Sequence, residues 1–146
     1  MKKLYWTFVI AVAVVASAPS AFAQCARGMV TVQGKIENLP PGTDVDVTVA
    51  LKTPRGDFSK SSVVSNGQFR IDVDFSTLKS WSPLSGHHCS NVPTFVDVSL
   101  KHANQMLVQE ELKFTDNFET RDSLTYNLKR ELTLDASKKT APGNGL

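Results

Sequence analysis

The chain is poor in the patterns that most enzymes require. It holds no Gly-x-Ser-x-Gly elbow to expose a serine nucleophile, no His-Glu-x-x-His to seat zinc on a helix face, and no glycine loop to cradle phosphate. Cysteine occurs only twice and histidine only three times. No stretch repeats its apolar residues at the 3.6-residue period of an amphipathic helix. After residue 23 nothing stays apolar for the about 20 positions that a membrane-spanning helix takes. These absences argue against an enzyme, against a resident metal or other cofactor, and against a membrane span in the mature chain.

What is present begins with an address. Lys2 and Lys3 precede an apolar run over residues 4–16 that only Thr7 interrupts, and small residues then lead to Ala21-Phe22-Ala23. That order is a secretory signal peptide over 1–23, with cleavage expected between Ala23 and Gln24. The apolar core is too short for an anchor. Gln24 is not the small residue that lipoprotein processing takes before a cysteine, so Cys25 reads as structural. Losing Lys2 and Lys3 leaves 14 basic against 14 acidic residues. The basic balance thus belongs to the leader and gives no argument for nucleic acid. The remaining 123 residues suit one domain, over 24–135, followed by a disordered tail over 136–146. The expected location is secreted, in the extracellular space or the periplasm.

In an oxidising compartment, two cysteines are most simply one disulfide. Pairing Cys25 with Cys89 closes a loop of 65 residues, which constrains the unfolded chain by roughly 4 kcal/mol on the chain-entropy model.

The dominant period in the domain is two. Val30, Val32 and Ile36 alternate with Thr31, Gln33 and Lys35, and Gly34 falls on the apolar side. Val45, Val47, Val49 and Leu51 form the cleanest half-buried strand, and a weaker serine-rich strand covers 58–64. Asn66-Gly67 then predicts a type I′ hairpin into Phe69, Ile71, Val73 and Phe75. Residues 76–93 lose the alternation and hold Trp81, His87, His88 and Cys89. Alternation returns at Val96, Val98 and Leu100. It continues over 106–114, where Glu110 breaks the stripe, and over 124–134, where Arg130 does; if those strands are neighbours the two charges could pair, as a modest surface bridge rather than a site. Seven strands that each bury one face predict an all-β, seven-stranded antiparallel β-sandwich with one disulfide. The antibody pattern itself does not fit, because Trp81 lies only eight residues before Cys89 and Cys25 precedes the first strand.

Val30-Thr31-Val32-Gln33-Gly34-Lys35-Ile36, then the Val-x-Val-x-Val strand, Ser65-Asn66-Gly67-Gln68-Phe69, and a His-Cys loop entering Phe95-Val96-Asp97-Val98-Ser99-Leu100 resemble the transthyretin-like (prealbumin-like) secreted sandwiches. These include the nematode transthyretin-like proteins and the bacterial carboxypeptidase-regulatory-like domains. The resemblance covers about residues 28–134 and implies a secreted two-sheet sandwich. The related hydroxyisourate hydrolases end in Tyr-Arg-Gly-Ser. This chain has Tyr126-Asn127-Leu128-Lys129 instead, so their activity is not carried over.

The only concentrated chemistry is His87-His88-Cys89. Neighbouring side chains on an extended segment point to opposite faces, so His87 and His88 are poorly placed to share a metal. Zinc takes four ligands, usually in separated pairs, and His102 is the one further histidine. The pairs Asp44/Asp46 and Asp72/Asp74 put two carboxylates on one strand face, the spacing for calcium or for acid/base work, and also the ordinary wet side of a sheet. The expected function is a non-catalytic binding module that presents the 76–93 segment, with Trp81, His87 and His88, to an extracellular protein, glycan or small ligand. The alternative is a small extracytoplasmic metal-binding protein or hydrolase using the two histidines and nearby acids. A sheet face carrying Arg70, Asp72 and Asp74 is the next surface to consider.

Overall fold

The computed structural model describes residues 25–78, 80–82, 86–122 and 124–138, with 80–82 and 86–88 described by their backbone. The leader expected over 1–23 and residues 139–146 lie outside the described residues. The strands are β1 (Arg27–Glu37), β2 (Val45–Thr53), β3 (Gly56–Val64), β4 (Gln68–Ser76), β5 (Ser80–Ser82), β6 (Gly86–His88), β7 (Phe95–His102), β8 (Gln105–Lys113), β9 (Phe118–Asp122), β10 (Thr125–Leu128) and β11 (Leu132–Asp135). A single helical turn, α1 (Phe114–Asn117), joins β8 to β9.

Two sheets pack face to face. One runs β3-β2-β7-β8 and is antiparallel throughout. The other is mixed: β1 pairs antiparallel with β4 on one side, and on the other pairs parallel with β10 and then with β11. β9 borders β10 antiparallel. The sandwich therefore has nine strands, not seven, and is not wholly antiparallel. The two added strands come from segments with weak local signals. The stretch from residue 115 onward lacks a clean alternation, yet α1 and β9 occupy residues 114–122. The stripe over 124–134 is cut by the exposed turn Lys129-Arg130-Glu131 into β10 and β11.

Alternation made β2 and β4 secure, and the burial follows it. Val45, Val47, Val49 and Leu51 of one sheet share the core with Ile71, Val73 and Phe75 of the other, where Val32 and Val30 of β1 lie beside Ile71 and Val73. Phe58, Phe75, Tyr126, Phe114 and Phe118 continue as a chain of ring contacts, with successive centroids 5.0–6.5 Å apart. Edge-to-face and offset pairs of this kind add to their burial.

Two expectations fail in instructive ways. Asn66-Gly67 does not close a hydrogen-bonded hairpin. Its flanking strands belong to opposite sheets, β3 with β2 and β4 with β1, so the turn is an arch across the sandwich. Only Gly67 has positive φ, at 73°, whereas a type I′ turn needs it at both central residues. The Gly67 carbonyl accepts the Ile36 amide at 2.6 Å, which ties the arch to the end of β1. The turn with two positive φ values is Ala103-Asn104, between β7 and β8. Glu110 and Arg130 also fall apart. Glu110 lies on β8 and Arg130 in the β10–β11 turn of the other sheet, and among the described residues they form no ion pair.

Candidate functional site

The irregular stretch 76–93 is an excursion with a fixed foot. Within it β5 and β6 form a two-stranded ribbon that pairs with neither large sheet. Its register sets Trp81 opposite His87 and Ser80 opposite His88. His87 and His88 are successive residues of one strand, as their adjacency required. The side chains of Trp81, His87 and His88 lie outside the described residues.

Three connections hold the foot. Cys25 and Cys89 form the expected disulfide, with their Cα atoms 5.3 Å apart, and so tie the segment to the entry of β1. Thr77, 2% exposed, donates its hydroxyl to the Ala26 carbonyl. Asn91, fully buried, donates its backbone amide to the Thr77 carbonyl at 2.9 Å. Its side-chain amide donates to the Ser76 carbonyl at 2.8 Å and the Thr53 hydroxyl at 3.1 Å. Asn91 thus joins the end of β2 to the end of β4, and Thr94 then docks its amide on the Lys52 carbonyl at 2.8 Å before β7 starts. A lone asparagine has no periodicity, so nothing in the sequence singled it out. Replacing it exposes its worth. Asn91→Ala removes both side-chain bonds from a buried site and should cost about 2 kcal/mol. A urea midpoint equal to that of the wild type would mean that the foot is not held there.

Beside the disulfide lies an open cavity of about 420 Å3 lined by Cys25, Arg27, Phe58, Asp74, Phe75 and Ser76. Phe58 and Phe75 supply an apolar floor, and Arg27 and Asp74 a charged rim. A larger cavity of about 500 Å3 lies at the β10–β11 turn, lined in part by Lys129, which donates to the Asp116 carbonyl at 2.9 Å.

The other candidates separate. His102 stands at the end of β7 remote from the ribbon foot, and its Nδ1 donates to the Asp44 carbonyl at 2.9 Å. The Asp44 carboxylate accepts the Ser65 hydroxyl at 2.6 Å. Asp72 accepts the Thr31 hydroxyl at 2.7 Å and lies 3.6 Å from Arg70 Nε. Among the described residues no three histidine, cysteine, aspartate or glutamate side chains converge as a ligand set. No helix among the described residues is long and apolar enough to cross a membrane. No protein-family model matches the chain, and no curated protein matches it.

Proposed function

We propose that this chain is a secreted, non-catalytic binding module of the transthyretin-like kind, which offers the 76–93 segment to an extracellular protein, glycan or small ligand. One observation carries the reading: a ribbon whose strands pair with neither large sheet adjoins, in sequence, a foot fixed by the Cys25–Cys89 disulfide and by buried Asn91. A pre-anchored segment loses less conformational freedom on binding than a free loop, so more of its contact energy becomes affinity. The disulfide supports the extracytoplasmic address, since such bonds persist in oxidising compartments. Strand order supports the prealbumin-like side of the fold. Immunoglobulin constant domains keep their first two strands in one sheet, whereas here β1 and β2 lie in opposite sheets.

Trp81 is the proposed anchor, because aromatic side chains dominate binding hot spots. The test compares wild type and Trp81→Ala, both oxidised, on a glycan array and against the extracellular fraction of the source cells. The reading expects an unchanged melting temperature and a loss of about 2 kcal/mol or more for the ligand found. A melting temperature lowered by several degrees, with binding lost only through unfolding, would make Trp81 a cap on the open end of the sandwich. Unchanged stability and unchanged binding would remove the segment from recognition.

A further inference from the structure

The outer face of the mixed sheet carries a second constellation, remote in the sequence and built by register. Asp72 of β4, Thr31 of β1, Asn127 of β10 and Glu119 of β9 lie in one row across four strands. Gln33 and Arg70 form the adjacent pair. On β9 the pairing shifts, so that Asp122 faces Thr125 and Thr120 faces Tyr126, leaving Arg121 as the unmatched residue of a bulge. Bulges re-aim side chains and recur beside functional sites. Here Arg121 lines a cavity of about 210 Å3 together with Thr31, Gln33, Arg70, Glu119 and Asn127.

The lining is almost wholly polar and only partly self-satisfied. Thr31 forms the floor and is 4% exposed although it points away from the core. Its hydroxyl and Arg70 Nε both address Asp72. Among the described residues the side chains of Gln33, Glu119, Arg121 and Asn127 make no hydrogen bond or ion pair. The groove therefore offers guanidinium donors, a free carboxylate and two amides around one small space. Guanidinium forks match a planar carboxylate. The amides and Glu119 match hydroxyl groups, which both donate and accept. Two carboxylates against two guanidiniums leave little net charge, which disfavours a phosphate dianion relative to a monoanion. The volume lies below the roughly 300–1,000 Å3 of drug-sized sites, so it suits one ring.

We propose that this groove binds an acidic sugar, a single hexuronate unit whose carboxylate meets Arg121 and Arg70 and whose hydroxyls meet Asn127, Gln33 and Glu119. The site lies on a sheet face and does not depend on the 76–93 segment. The test is an NMR titration of the oxidised protein with D-galacturonate and D-glucuronate, run beside D-galactose and glucose 6-phosphate. A uronate should give saturable shifts at Thr31, Gln33 and Asn127, and D-galactose and the phosphate weaker ones. Arg121→Ala, at an exposed edge, should leave the melting temperature unchanged and weaken the uronate at least about tenfold, with Arg121→Lys in between. The proposal is overturned by no saturable shift with either uronate. Equal binding of D-galactose, tighter binding of the phosphate, or an Arg121→Ala affinity equal to that of the wild type would overturn it as well.

Discussion

Val47→Asp should cost about 4 kcal/mol or more, a large share of the roughly 5–15 kcal/mol that holds a domain of this size together. Val47 is fully buried on β2, an interior strand that pairs with β3 through Ser62 and with β7 through Leu100. A carboxylate there enters the apolar core with no cation paired to it and only the Ser62 hydroxyl opposite it on β3, so it either stays charged without a counter-ion or gives up its charge, and both are costly. Thr48→Asp, one residue on, is the control. Thr48 faces outward and shares a hydroxyl contact of 2.7 Å with Ser61, so its replacement should cost less than about 1 kcal/mol, the usual scale at an outward position. Urea unfolding followed by circular dichroism separates the two. Equal midpoints would mean that β2 presents its other face to the core.

The second large effect tests the parallel half of the fold. Gly34 is paired with Leu132 across the β1–β11 ladder. A Cβ added at Gly34 would sit 2.5 Å from the Leu132 carbonyl oxygen and 2.7 Å from the ring of Phe69. The ring has some freedom, but the carbonyl belongs to the neighbouring backbone and moves only if β11 moves. Gly34→Ala should therefore cost about 3 kcal/mol, and it should raise amide exchange in β11 more than in β2. Gly28→Ala is the informative neighbour, since the obstruction there is the Phe75 side chain alone. If Gly34→Ala is as stable as the wild type, β11 does not run beside β1 in this register.

How far the fold was legible follows from where the forces act. β2 and β4 could be read because each buries one face of an alternating stripe, a signal contained within nine residues. The disulfide could be read because two cysteines admit one pairing. The parallel pairing of β1 with β10 and β11 could not, since it joins opposite ends of the domain and leaves no mark on either segment alone. Asn66-Gly67 misled for a related reason. A turn signal specifies a reversal, not whether the two strands stay in one sheet, and here burial of both apolar faces sent β3 and β4 to different layers. The site divides in the same way. Trp81 and His87 were singled out by residue type, and the ribbon register then made them opposite numbers. Asn91 and the groove of Thr31, Arg70, Arg121 and Asn127 arise only when distant strands meet.

The account rests on a stapled sandwich whose 76–93 segment is held at its foot by Cys25 and Cys89. The most direct test is thiol titration of the protein purified without reductant, denatured as it stands and again after reduction. Both cysteines are bonded to each other, so the account predicts no reactive thiol before reduction and two after it. Two reactive thiols before reduction would contradict it, because the segment would then lack its staple and Cys89 would be a free thiolate donor beside His87 and His88.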